Sequence, residues 1–234
     1  MREDVSTDGR HANVKFSTSW KQDASRRDFT INSIYSDING NLFDPYNGKN
    51  DLEKGCINFI GDPDKRIKED YLRILRYLRF FIAYSKQPHN TQLIRKLKSN
   101  IEGVSMLSKD RLLDELQKLI NAKTLEKLSK DKTCMELISI IFPELKNINI
   151  FSKLNSIKRE IIENSDFIFL ISLMVIDETD NSEYFLYKFN ISKKDEKRIR
   201  KIRNFYKENK GFKKFNEKIV NEIFYYDGKQ AVSD

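Results

Sequence analysis

The spacing of apolar residues changes once along this chain. Over the first sixty residues apolar and polar positions alternate, in the stretches NVKFST (13–18), DFTINSIYSDI (28–38) and NLFDPY (41–46). Asn39 and Gly40 separate two of these stretches, so the pattern predicts short strands and a hairpin. From residue 64 to about 226 the period becomes helical. In KEDYLRILRYLRFFIAY (68–84), Leu72, Leu75, Leu78 and Ile82 form one stripe, and Glu69, Asp70, Arg73 and Arg76 gather on another side. That spacing predicts one continuous helix. A further helix is expected behind Ser108 as its cap, with Leu112, Leu113, Leu116 and Leu119 on its apolar face. The fold class expected is mainly α, a small β-containing part leading into a helical body.

The run FIFLISLMVI (167–176) is about half the ~20 residues needed to cross a bilayer, so it predicts a buried helix and no membrane span. The 234 residues carry 43 Lys and Arg against 35 Asp and Glu, a net charge of +8. That balance favours a polyanionic partner, nucleic acid before membrane. The basic amphipathic segment at 192–215 has lysines and arginines that suit a phosphate backbone, and it reads equally as a solvated helix face. Two cysteines and a charged N-terminus fit a soluble protein of a reducing, cytoplasmic compartment. With two histidines and two cysteines there is no imidazole or thiolate cluster for zinc, and any metal would need carboxylates, which favours magnesium.

Five collinear blocks, TDGRHANVKF, RRDFTIN, DPYNG with the DL after it, GDPDKRIKEDYLRILRYLRF and SKDRLLDELQKLI, resemble the class II family of tRNA nucleotidyltransferases (CCA-adding enzymes) and bacterial poly(A) polymerases. They cover about residues 2–120. The resemblance implies the C-terminal part of a nucleotidyltransferase head over 1–60, a helical neck with a base-selecting helix over 61–125 and a helical, RNA-binding body and tail over 126–234. It matches Arg26, Arg27 and Asp28 to a motif that handles the sugar of the bound nucleotide, and it adds Arg76 to the nucleotide-binding set. A carboxylate there accepts from ribose hydroxyls while a guanidinium steadies it or meets a phosphate. Asp44, Asn47, Gly48 and Asp51 match the loop that couples head to neck, and the same residues also read as an ordinary Asx turn. Arg111 and Glu115 match a later neck motif that ties helix to helix.

In the family, the residues matching Asp70 and Arg73 serve as a protein template for the incoming base, with Glu69 orienting the arginine. Cytosine and adenine both present an exocyclic amine beside a bare ring nitrogen, which suits a carboxylate acceptor and a guanidinium donor. Uracil and guanine present a carbonyl beside a ring N–H and would set like against like. Mispairing buried polar groups costs roughly 1–3 kcal/mol each, enough for about two orders of magnitude of discrimination.

Nucleotidyl transfer uses two magnesium ions held by acids. The family holds them with an Asp-x-Asp on a strand, after a glycine-rich segment, and this sequence begins downstream of both. Asp62 and Asp64 have the spelling but fall in a proline-containing loop, and Asp4 is the remaining catalytic candidate. The expectation is therefore a CTP- and ATP-selecting, tRNA-binding portion that acts on the tRNA 3′ end and is inactive alone. A companion chain would supply the metal-binding acids. A poly(A) polymerase portion and a non-catalytic RNA-binding remnant are the alternatives.

Overall fold

The computed structural model describes residues 2–7, 12–16, 19–208, 220, 225–226 and 228–234, the first two stretches by backbone alone. The chain is mainly α and forms two compact units, Met1–Leu107 and Ser108–Asp234.

In the first unit, β1 (Arg2–Thr7) pairs antiparallel with β2 (Ala12–Phe16). Helix α1 (Trp20–Ser25) follows, with the Ser19 side chain accepting from the Gln22 N–H. The predicted hairpin forms from β3 (Tyr35–Ser36) and β4 (Leu42–Phe43). The Asp37 carboxylate closes its turn by accepting the Asn39 and Asn41 N–H groups at 2.8 Å, and Gly40 supplies a φ of 84°. Such a φ favours glycine.

The strand expected over 28–38 does not run through. After Phe29 the chain winds into a short 3-10 turn, Thr30–Asn32. The Asp28 carboxylate takes the Phe29 N–H and the Asn32 amide, and Ser33 Oγ donates to the Thr30 carbonyl. Side chains of this kind compete with a ladder for backbone partners, which alternation alone does not reveal.

Helices α2 (Gly48–Lys54), α3 (Pro63–Glu69), α4 (Leu72–Tyr84) and α5 (Thr91–Ser99) complete this unit with a 3-10 segment, Ile101–Met106. The single helix expected over 68–84 is two helices. Asp70 leaves helical geometry at φ −156°, ψ 104°, and its carboxylate accepts the Leu72 N–H that opens α4. The Tyr71 ring lies against Gly103, where an added Cβ would come inside 3.0 Å of the ring. The predicted stripe of α4 is buried as expected, around Phe29, Phe59, Tyr77 and Phe80. Phe29 and Phe59 pack with ring centroids 4.5 Å apart and share a backbone bridge.

The second unit contains α6 (Lys109–Leu119), α7 (Ala122–Lys130), α8 (Lys132–Ile141), α9 (Ser156–Glu163), α10 (Phe167–Val175), α11 (Asn181–Phe189), α12 (Lys193–Glu208) and α13 (Lys229–Ser233). Ser108 caps α6 as predicted, and α10 is the buried helix expected from its run of apolar residues. Among the described residues no helix is long and apolar enough to cross a membrane.

Candidate nucleotide site

The charged segment 26–28 leaves the end of α1 with two different tasks. Arg26 and Arg27 turn back onto Asp23, three and four residues earlier. Arg26 bonds one carboxylate oxygen through Nε at 2.8 Å and also through Nη2, and Arg27 Nη2 reaches the other oxygen at 3.0 Å. The Tyr35 hydroxyl donates to that second oxygen at 2.7 Å. Burial alone would raise the Asp23 carboxyl, but the donors from Tyr35, Arg26 and Arg27 outweigh it and hold the group down at about 2. Asp23 is 5% exposed, whereas its two arginines keep 36% and 43% of their side-chain surface in solvent. Guanidinium edges are thus presented outward from a fixed base.

Asp28 faces the other way and is buried. Besides the Phe29 and Asn32 donors it receives Arg76 Nε from α4. Burial opposes its ionisation, and the hydrogen bonds from Arg76 and Asn32 more than offset that, so its carboxyl stays below the usual range. Three of the roughly four lone-pair positions of this carboxylate are engaged. The guanidinium that steadies Asp28 is therefore Arg76, from forty-eight positions away, and not either of its neighbours.

At the junction of α3 and α4, Glu69 holds two arginines with one oxygen: Arg66 Nη1 at 2.7 Å and Arg73 Nη1 at 2.6 Å. Arg73 Nη1 also donates to the Arg66 carbonyl at 2.6 Å. Glu69 thus bonds the Arg73 guanidinium directly. The expectation that Glu69, Asp70 and Arg73 share one helical face does not hold, because the break at Asp70 turns its side chain with the start of α4. Asp70 and Arg73 remain neighbours through the Arg73 N–H to Asp70 carbonyl bond of 3.1 Å, and both are half-buried.

The coupling loop is built as an Asx-type turn. Asp44 accepts the Gly48 and Lys49 N–H groups at 2.7 and 2.8 Å, Asn47 is left-handed at φ 58°, and Asp51 accepts the Thr30 hydroxyl at 2.6 Å. Gly48 sits against the Thr30 carbonyl where an added Cβ would come inside 3.0 Å of backbone. The loop is thereby fastened to the segment that follows Asp28. Asp62 caps α3 and pairs with Lys96, and Asp64 pairs with Lys68 and Asn100, so both belong to the scaffold. The side chain of Asp4 lies outside the described residues; its backbone belongs to β1.

Two members of the constellation escaped the sequence reading. Asp23 carries a visible signal, its spacing of three and four to Arg26 and Arg27. Arg66 carries a local signal toward Glu69, at a spacing of three, but none toward its other acceptors, the Ser25 carbonyl at 2.7 Å and the Arg27 carbonyl, some forty residues upstream.

Residues 1–58 match the poly A polymerase head domain. Human mitochondrial CCA tRNA nucleotidyltransferase 1 is 44% identical over 122 residues, which is 51% of this chain and 28% of that protein. The CCA-adding enzyme of Staphylococcus epidermidis is 39% identical over 111 residues, 47% of this chain and 28% of the relative. The alignment thus spans little more than a quarter of the length of these curated relatives. Among solved structures, the Bacillus stearothermophilus CCA-adding enzyme in complex with CTP matches with a TM-score of 0.70 at 20% identity, covering 94% of this chain and 54% of that one. The Thermotoga maritima CCA-adding enzyme complexed with tRNA matches at 0.59 and 20% identity, covering 92% and 55%. At that identity the likeness is one of fold. The head-domain match and the stretches of close identity make this chain similar to CCA-adding tRNA nucleotidyltransferases over about half its length.

Proposed function

We propose that this chain is the nucleotide-selecting and tRNA-binding portion of a CCA-adding tRNA nucleotidyltransferase. The observation that supports the reading is the α3–α4 junction, where Asp70 breaks the helix with its carboxylate on the Leu72 N–H and, three residues on, Glu69 holds the Arg73 guanidinium at 2.6 Å. An acceptor beside a fixed donor complements the amine and bare ring nitrogen common to cytosine and adenine. It opposes the carbonyl and ring N–H of uracil and guanine. Arg26 and Arg27, anchored on Asp23 and partly in solvent, would meet phosphate, and Asp28 with Arg76 would meet the sugar.

Among the described residues of this unit, the carboxylates already engaged by donors do not fit a magnesium cage. Asp23, Asp28 and Glu69 are each neutralised by guanidinium groups, and Asp44 and Asp51 are engaged by backbone and hydroxyl donors. The two ions of the complete reaction would be held mostly by acids outside this chain, and no catalytic step is assigned to the residues described. Contact with tRNA would fall to the second unit, where Lys193, Lys194 and Lys197 are exposed on α12.

The test uses tRNA lacking its 3′ end and labelled CTP, ATP, UTP and GTP, with and without a second polypeptide carrying the Asp-x-Asp head. The expected result is incorporation of C and A alone, dependent on the second polypeptide. Discrimination should fall by about two orders of magnitude in Asp70→Ala. Unchanged selectivity in that variant overturns the base-reading role. Incorporation by the chain alone overturns the placement of the metal acids elsewhere.

A further inference from the structure

Arg66 stands between the two halves of the candidate site. From the first turn-and-a-half of α3 it sends Nη2 to the Ser25 carbonyl at 2.7 Å and to the Arg27 carbonyl, and Nη1 to Glu69 at 2.7 Å. Its side chain is 13% exposed, and its Nε is buried without a hydrogen-bond partner. A buried guanidinium that leaves a donor unused is held by its other bonds, since an unmet buried donor costs roughly 1–3 kcal/mol. Those other bonds reach two distinct pieces of the site. The carbonyls of Ser25 and Arg27 bracket the outward-facing Arg26 and lie immediately before Asp28. The Glu69 oxygen is the same atom that holds Arg73.

We propose that Arg66 is a positioning residue for nucleobase selection, setting the register between the sugar-side segment 26–28 and the base-side guanidinium of Arg73. The idea rests on the reading of Asp70 and Arg73 as a base template. Arg66 itself touches no ligand. Its planar fork spans two carbonyls and a carboxylate at once, which a lysine cannot do, because a single ammonium has no such fixed geometry. If the fork is lost, Glu69 is left with Arg73 alone, and segment 26–28 loses its tie to α3. Arg73 then keeps its charge but loses its fixed place opposite the base edge. Affinity for the phosphates, carried by Arg26 and Arg27, persists, while the difference between nucleotides shrinks. Burial, and then the neighbouring Arg73 charge, lower the Arg66 guanidinium below its ordinary value, which agrees with two cations crowded on one carboxylate.

The experiment is equilibrium binding of CTP, ATP, UTP and GTP to the full chain, comparing wild type with Arg66→Lys, Glu69→Gln and the double variant. Wild type is expected to prefer CTP and ATP by about 100-fold, the discrimination available to mispaired buried groups. Arg66→Lys, which keeps the charge and much of the packing, is expected to bring the preference within about 10-fold while CTP affinity changes less than the ratio does. The double variant should be no worse than either single one, since both disturb the same contact. Circular dichroism and thermal melting report folding separately. A full wild-type preference retained by Arg66→Lys, whatever its melting temperature, overturns the positioning role and leaves the base template standing. Additive losses in the double variant overturn the shared contact. A wild type that does not discriminate among the four nucleotides overturns the template itself, and with it the role of Arg66.

Discussion

Two arginine clusters, one in each unit, are built from the same chemistry in opposite proportions. In the first unit Arg26 and Arg27 share Asp23, Arg66 and Arg73 share Glu69, and Arg76 holds Asp28, so guanidinium groups outnumber their carboxylates. In the second unit three arginines of α12 face a surplus of acids: Arg198 takes Asp166 and Asp234, Arg200 takes Glu183 and Glu196, and Arg203 takes Asp180 and Glu183. The first arrangement leaves positive charge and donors to spare and suits an anionic ligand. The second neutralises its arginines and fastens α12 to its neighbours. The expectation that the arginines of this basic helix lie along a phosphate backbone is thus corrected for Arg198, Arg200 and Arg203, and the exposed lysines keep that role as a proposal.

The contrast is sharpest at Asp28. Removing it in Asp28→Ala leaves Arg76 half-buried without its counter-ion, and the expected loss is about 3 kcal/mol in a denaturant melt, with nucleotide binding lost as well. An effect below 1 kcal/mol would mean that solvent compensates Arg76 fully. Next in size is an acid response. The folded-state value of Asp23, about 2, lies below the ordinary carboxylate value, so its contribution is present above pH ~4 and is lost as pH falls from there toward 2. That share of stability is at most about 2 kcal/mol, and Asp23→Asn should flatten that part of the stability curve between pH 5 and 2. The smallest effect belongs to the second unit: Arg200 is 49% exposed, and Arg200→Ala should cost less than about 1 kcal/mol with no change in nucleotide binding. Altered nucleotide binding in that variant would break the division between a ligand-facing and a scaffolding cluster.

What the sequence showed of this architecture depended on distance along the chain. The apolar stripe of α4, the buried α10, the Ser108 cap and the turn at Asn39 and Gly40 are all local patterns, and each formed as read. Glu69 with Arg73 is local too, at a spacing of four. The break at Asp70 was hidden because a carboxylate inside a helical period can either stay on the face or cap the next helix, and periodicity does not decide between them. The same competition turned the expected strand after Asp28 into a 3-10 turn. The long-range members, Arg66 on Ser25 and Arg27, and Arg76 on Asp28, depend on how α3 and α4 pack against the segment after α1. No spacing rule reaches that far. The Asp23 anchor was within reach of the helical spacing rule, and its importance appears only once Tyr35 is seen closing on the same carboxylate.

The missing side chain at Gly103 gives the Tyr71 ring its seat, and Tyr71 is one of the two residues between Asp70 and Arg73, the pair proposed to read the base. A position 32 residues downstream of Tyr71 thus has no room for a methyl group unless that ring moves. A single methyl there would have to push the ring aside, so Gly103 bears on the α3–α4 turn through packing alone.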